Sequence, residues 1–215
     1  MKLGELKIES LMMIFPGTEL MVDYENDDEL RDKISQLKDD SSYSDYLASM
    51  PGAINRCYSS LENKGIVPTK SVDLSKSTAQ KRGTRIMFDL SAISDLGSID
   101  RIAFYGNNGQ DEEHCDYSHE GTSKVLLEER NGTYAVVYTP IIPRIKQITD
   151  DAKEIELPED VVSLVPYFIK SELLRAENES EAAHARNVFE QMANELRSKN
   201  QGYQGAVISV YGGML

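Results

Sequence analysis

The side chains best suited to chemistry lie between residues 111 and 119, where two histidines and one cysteine stand among four carboxylates. A thiolate and two imidazoles are typical zinc ligands, so Cys115 and His119, with His114 beside them, are the candidate metal ligands. Their spacing matches no established zinc module, and a set of hydrogen-bonded polar side chains on a loop is the simpler interpretation. A zinc-dependent hydrolase that uses Cys115 and His119 is the remote alternative.

Motifs for other catalytic chemistry are missing from the sequence. A nucleophilic serine on a strand-to-helix turn would show GxSxG, and a dinucleotide site would show GxGxxG after a strand; the chain has neither. The segment Gly106-Asn107-Asn108-Gly109 lacks the lysine and hydroxyl residue of a phosphate-binding loop. The sequence therefore predicts a protein that is not an enzyme and that needs no cofactor and no metal.

The charge balance narrows the choice of partners. Thirty-six acidic residues against 23 basic ones give a net charge of -13 over 215 residues, and the acidity is spread along the whole chain. Tight binding to DNA or RNA is not expected, because it relies on cationic side chains that neutralise phosphates. No run of about 18 apolar residues suggests a membrane span, and Cys57 and Cys115, far apart in the chain, suit a reducing compartment.

Hydrophobic periodicity divides the chain into four parts. Residues 1–68 and 158–200 have the spacing of amphipathic helices, whereas residues 69–157 alternate like β-strands. The expected fold class is therefore α+β, with a helical bundle built from the N- and C-terminal segments and an inserted antiparallel β-domain. Residues 201–215 are expected to form an extended tail, because Gln201 to Gly205 should break the last helix.

Two turns in the β-region have strong local signals. Asn131-Gly132 lies between two apolar runs and predicts a tight hairpin, because Asn-Gly tolerates the positive φ values that such a turn needs. The polar stretch from Asn107 to His119 is expected to be the exposed tip of the domain. Further strands are predicted at 144–148 and 154–157.

Two apolar segments are candidates for contact with a partner protein. The tail contributes Val207, Ile208, Val210 and Tyr211, which would pair as an edge strand with the chain's own β-domain or with a neighbouring subunit. A helical stripe after Pro158, kinked at Pro166, contributes Val162, Val165 and Phe168.

The helical segments resemble the head-to-tail connector proteins of tailed bacteriophages. The resemblance lies in the Leu157-Pro158 start followed by an apolar helix to Leu173, and in the later Ala185 to Glu190 segment. The N-terminal half adds Gly4-Glu5-Leu6 and the segment from Met50 to Cys57. The β-region has no motif that matches the family, so the tail-tubular subtype with its inserted β-domain rests on architecture.

The resemblance implies a structural virion protein of the phage neck, made in the host cytoplasm. Such a subunit forms a cyclic homo-oligomer that docks on the portal, follows its symmetry and continues the DNA channel toward a downstream tail or neck protein. Genomic DNA would pass without sequence-specific binding, and no membrane is involved. The alternative is a non-enzymatic binding module whose β-domain loop at 107–119 recognises a ligand or partner, with the helices as its scaffold.

Overall fold

The computed structural model describes residues 1–18, 20, 24–106 and 112–210, with backbone alone for 199–210. The chain divides into two compact units. Unit 1 combines Met1–Ile66 with Pro143–Leu215, and unit 2 is the uninterrupted segment Val67–Ile142 between them. The architecture is α+β with antiparallel sheets, as the sequence predicts.

Unit 1 is helical. Its helices are α1 (Leu3–Ile14), α2 (Asp27–Asp39), α3 (Ser44–Asn63), α4 (Glu159–Val162), α5 (Val165–Leu173) and α6 (Glu179–Val210). Helix α5 packs against α1, α3 and α6. The edge of the Phe168 ring meets the face of Phe189 at a centroid distance of 5.0 Å, and both side chains are buried.

Local sequence explains several helix ends. The Asn26 side chain accepts hydrogen bonds from the backbone N–H groups of Asp28 and Glu29, which caps α2. Gly65, at φ +64°, ends the segment after α3, as expected of a glycine just past a helix C-terminus. The expected kink at Pro166 is a full break between α4 and α5, because proline suits the first turn of a new helix.

Unit 2 is a sandwich of two four-stranded antiparallel sheets. The strands are β1 (Lys70–Leu74), β2 (Gln80–Arg82), β3 (Arg85–Asp89), β4 (Leu96–Gly106), β5 (Glu112–Cys115), β6 (Tyr117–Glu120), β7 (Lys124–Glu128) and β8 (Gly132–Pro140). One sheet has the order β1-β8-β4-β5 and the other β2-β3-β7-β6. Inward-facing side chains of both sheets, such as Phe88, Phe104 and Tyr134, form one apolar core.

The predicted hairpin at Asn131-Gly132 is wrong. Strands β7 and β8 belong to different sheets, so the segment between them is a corner of the sandwich, and no residue in it has a positive φ. Tyr134 holds this corner through its hydroxyl, which donates to the Glu128 carbonyl at 2.7 Å and accepts from the Arg130 N–H at 2.8 Å. Glycine is needed at 132 for space, because a Cβ there would lie 2.2 Å from the Tyr105 carbonyl oxygen.

The expected β-segment is also too long at its C-terminal side. Unit 2 ends at Ile142, and no strand forms at 144–148 or 154–157; Lys2 and Glu154 make an isolated bridge. The apolar residues of the first segment do not share one buried face, since Ile145 is 6% exposed and Ile148 is 91% exposed. This segment is a connection that lies on the helical unit.

The extended tail is likewise wrong as far as residue 210. Helix α6 is 32 residues long and continues through Gly202 and Gly205 to Val210. Each glycine costs a helix about 1 kcal/mol relative to alanine, but extending an existing helix avoids the cost of nucleating one. Residues 211–215 lie outside the described residues.

Candidate functional site

The candidate zinc ligands do not converge. Cys115 ends β5 in one sheet, whereas His119 lies on β6 in the other. The Cys115 side chain is 5% exposed and belongs to the sandwich core, and burial raises the pKa of its thiol. His119 is exposed, with its ring 5.3 Å from that of Tyr117. Among the described residues, no three His, Cys, Asp or Glu side chains are grouped to hold a metal ion.

A polar cavity of about 450 Å³ lies where the chain crosses between the sheets at Asp116. Arg130 on its wall is paired, at 2.7 Å with Glu113 and 3.5 Å with Glu128. Arg85 also lines the cavity and makes no ion pair with any described residue. The cavity overlaps residues 114–118 of the predicted recognition loop, and residues 107–111 of that loop lie outside the described part of the chain.

The predicted partner-contact residues have different fates. Val162, Val165 and Phe168 are at most 3% exposed inside unit 1, so their assignment to a partner surface is wrong. They form the chain's own core, because α5 packs between other helices. Val207, Ile208 and Val210 lie on the helical backbone of α6, so their expected strand pairing is wrong up to residue 210. Tyr211 lies outside the described residues.

The structure brings forward a connection that the sequence did not single out, the segment 143–151. Asn55 on α3 fixes it: Asn55 Nδ2 donates to the Ile145 carbonyl at 2.7 Å, and Asn55 Oδ1 accepts from the Ile145 N–H at 2.8 Å. Arg144 adds an ion pair of 2.6 Å with Glu62, and the Gln147 side chain donates to the Ala48 carbonyl. The connection is thus fastened along α3.

The tip of this connection is a closed turn. The Lys146 N–H donates to Thr149 Oγ1 at 2.8 Å, and the Thr149 N–H donates to the Lys146 carbonyl at 3.0 Å. Ile148 is within this turn and is 91% exposed, the highest fraction among the exposed large apolar side chains of the described residues. A fixed turn therefore holds an isoleucine in solvent.

A cleft of about 370 Å³ opens between the end of α5 and the start of α6. Small side chains line part of it, namely Ser171, Ala182 and Ala183. Four charged side chains complete the lining: Glu172, Arg175, Glu179 and Arg186. Glu172 already pairs with Arg56 at 2.7 Å and Arg186 at 3.9 Å, whereas Arg175 and Glu179 make no ion pair within the described residues.

Comparison with known proteins adds no relative. No protein-family model matches the chain, and no curated protein matches it in sequence. Within the described residues, no helix combines the length and the apolar character needed to cross a membrane.

Proposed function

We propose that the protein is a structural, non-enzymatic subunit of a phage head-to-tail connector, a cyclic homo-oligomer in the neck of the virion. The ring docks on the portal and continues the DNA channel toward the next tail or neck protein. The observation that carries this proposal is the discontinuous helical unit with a β-sandwich inserted between its two halves. This is the architecture implied by the resemblance of the helical segments to connector proteins.

The C-terminal helix supports a docking role. Helix α6 has 32 residues and is about 48 Å long at 1.5 Å per residue, whereas its partner α5 has nine residues and spans about 14 Å. The buried positions of α6 end at Leu196 among the side chains described. The helix then continues to Val210 with the apolar sequence 206–208 in its last turns, which suits contact with the portal or with the next ring component.

The net charge of -13 also agrees with a DNA conduit. An acidic wall repels the phosphate backbone, so the duplex can slide past it, whereas a basic wall would grip the DNA by releasing counterions. We expect the protein to bind duplex DNA no more tightly than an acidic control protein at low salt.

Negative-stain electron microscopy tests the proposal directly. The full chain is imaged alone and after mixing with the portal ring encoded by the same genome. We expect closed rings, or an added layer on the portal. The variants His119→Ala and Cys115→Ala should assemble like the parent chain, whereas deletion of residues 206–215 should weaken docking. A monomer that leaves the portal unchanged under both conditions would overturn the proposal.

The cavity beside Asp116 favours a second candidate, a binding module that recognises an acidic group through the β-sandwich. Its unpaired Arg85 would supply the charge. The two candidates differ in sensitivity, because this one predicts that partner binding is lost in Arg85→Glu and survives deletion of residues 206–215. Lys81→Glu, which also reverses a charge in the same sheet outside the cavity lining, is the control.

A further inference from the structure

We infer that neighbouring copies of the chain join head to tail, with Ile148 of one copy inserted into the cleft between α5 and α6 of the next. This inference rests on the proposed ring function and names the residues that would build the ring. It requires a rigid apolar projection, a receptor of suitable size, and two surfaces that lie apart on one copy.

The turn at 146–149 has the properties of a rigid projection. Two reciprocal hydrogen bonds close it, and the Asn55 amide and the Arg144–Glu62 ion pair hold the segment before it on α3. Little conformational entropy is left to lose when this turn meets a partner, so the cost of binding is small. A large apolar side chain that is 91% exposed on such a support is typical of an interface anchor.

The cleft between α5 and α6 has the properties of the receptor. Its volume of about 370 Å³ is roughly twelve times the 30 Å³ that a water molecule occupies in the liquid, which leaves room for a branched aliphatic side chain. Ala182, Ala183 and Ser171 present methyl groups and one small hydroxyl. The charged residues around them resemble the polar rim that surrounds an interface anchor.

Charge supports the same pairing. Lys146, two residues from Ile148, is exposed and makes no ion pair with any described residue. Glu179 of the cleft is an exposed carboxylate in the same condition. When Ile148 enters the cleft of another copy, Lys146 can approach Glu179, and opposite charges at a rim mainly accelerate and orient association.

The two surfaces lie on different sides of α3. Asn55 contacts the connection that carries Ile148, whereas the next residue, Arg56, contacts Glu172 of the cleft. Consecutive residues of an α-helix point about 100° apart, since 3.6 residues make one turn. A contact between two different surfaces of identical chains is heterologous, and repeating it builds a ring when the rotation closes.

Complementation of two defective variants tests this inference. Ile148→Asp removes the projection and leaves the cleft intact; Ala183→Arg fills the cleft and leaves the projection intact. Each variant alone should lose association by roughly tenfold or more. An equimolar mixture should regain one intact contact per pair and form dimers in light scattering after size exclusion. Ile141→Asp, at another exposed isoleucine, and His184→Arg, beside the cleft on α6, should assemble like the parent chain.

Cross-linking locates the contact. The double variant Ile148→Cys, Ala183→Cys should form covalent ladders with a short bismaleimide, alone and on the portal ring, whereas Ile141→Cys, Ala183→Cys should not. The native Cys57 and Cys115 are buried and give little background. Rings that form without this cross-link, and that tolerate Ile148→Asp, would overturn the inference while the proposed function stands. Absence of both rings and cross-links would overturn the two together.

Discussion

The side-chain amide of Asn55 forms two hydrogen bonds with the backbone of Ile145, a residue 90 positions later in the chain. One bond satisfies the Ile145 carbonyl and the other its N–H group, so the amide replaces a strand partner for this residue. The pairing joins α3 to the connection that leads into the second half of the helical unit.

We predict that Asn55→Ala destabilises unit 1 by about 1–3 kcal/mol, because two backbone groups lose their partners at a half-buried site. Urea denaturation followed by circular dichroism measures the change. Asn187→Ala, at an exposed position of α6, should stay within about 0.5 kcal/mol of the parent. Equal effects of the two substitutions would show that the amide contributes nothing specific.

A buried ion pair fastens α1 to the same connection. Lys7 Nζ lies 2.5 Å from Asp151 Oδ1, with the two side chains 3% and 9% exposed, and Lys38 reaches the other carboxylate oxygen at 3.1 Å. Asp151→Ala should cost about 3–5 kcal/mol of unfolding free energy, because it leaves the Lys7 ammonium buried without its partner.

Replacing Lys7 by methionine should be milder than Asp151→Ala, since it removes a buried charge and keeps an apolar chain of similar length. The double variant Lys7→Met, Asp151→Ala should then be more stable than Asp151→Ala alone. A double-mutant cycle in urea measures the coupling. Additive effects would mean that the two groups do not stabilise each other.

Gly132 and Gly106 offer a matched pair, because they are partners in the β4–β8 ladder. A Cβ at Gly132 would lie 2.2 Å from the Tyr105 carbonyl oxygen and 2.6 Å from the Phe104 ring, whereas one at Gly106 would meet no atom within 4 Å. We expect Gly132→Ala to destabilise unit 2 by about 1–3 kcal/mol through overpacking, and Gly106→Ala to be nearly neutral. Thermal unfolding of both variants compares them.

The helical parts were largely predictable, and the reason is local. The expected buried face of α6 is confirmed at Ala185, Phe189 and Leu196, because amphipathic spacing and burial have the same 3.6-residue period. The break at Pro166 follows from the chemistry of one residue. These features depend on neighbours within one helix, which a single sequence contains.

The β-unit and the site depended on distant neighbours. Asn131-Gly132 has the local signal of a hairpin, yet the close approach of Tyr105 and Phe104 decides which strands pair there. The exposure of Ile148 is set by Asn55 and the α3 backbone far away in sequence, so alternation at 144–148 could not reveal it. The cleft also needs α5 and α6 to pack before it exists.

The two cysteines should resist modification in the folded protein. Cys57 is fully buried and Cys115 is 5% exposed, and burial raises the pKa of both thiols. The thiolate is the reactive form, so both should react with a disulfide reagent at pH 8 far more slowly than a free cysteine. In denaturant both should react fully, which confirms that the reagent is active. Rapid labelling of one thiol in the native chain would contradict the packing of its unit.

Asp95 gives unit 2 a defined dependence on pH. Hydrogen bonds from Lys70, at 2.6 Å, and from the Tyr138 hydroxyl, at 2.8 Å, lower the pKa of its carboxyl below the usual 3.8. A carboxyl whose pKa is lower in the folded state stabilises the fold above its unfolded pKa, and this contribution disappears as the pH falls through the folded value. The expected loss therefore begins near pH 4 and continues below it.

Asp95→Asn should lower the melting temperature of unit 2 at pH 7 and should narrow the gap from the parent as the pH falls below 4, because protonation weakens the same contacts in the parent. Asp73→Asn, at an exposed carboxylate of β1, is the matched control and should follow the parent curve. Thermal unfolding from pH 7 to pH 3 records both variants. A constant gap between Asp95→Asn and the parent across this range would show that the charge of Asp95 does not stabilise the fold, and that shape and neutral hydrogen bonds account for its position.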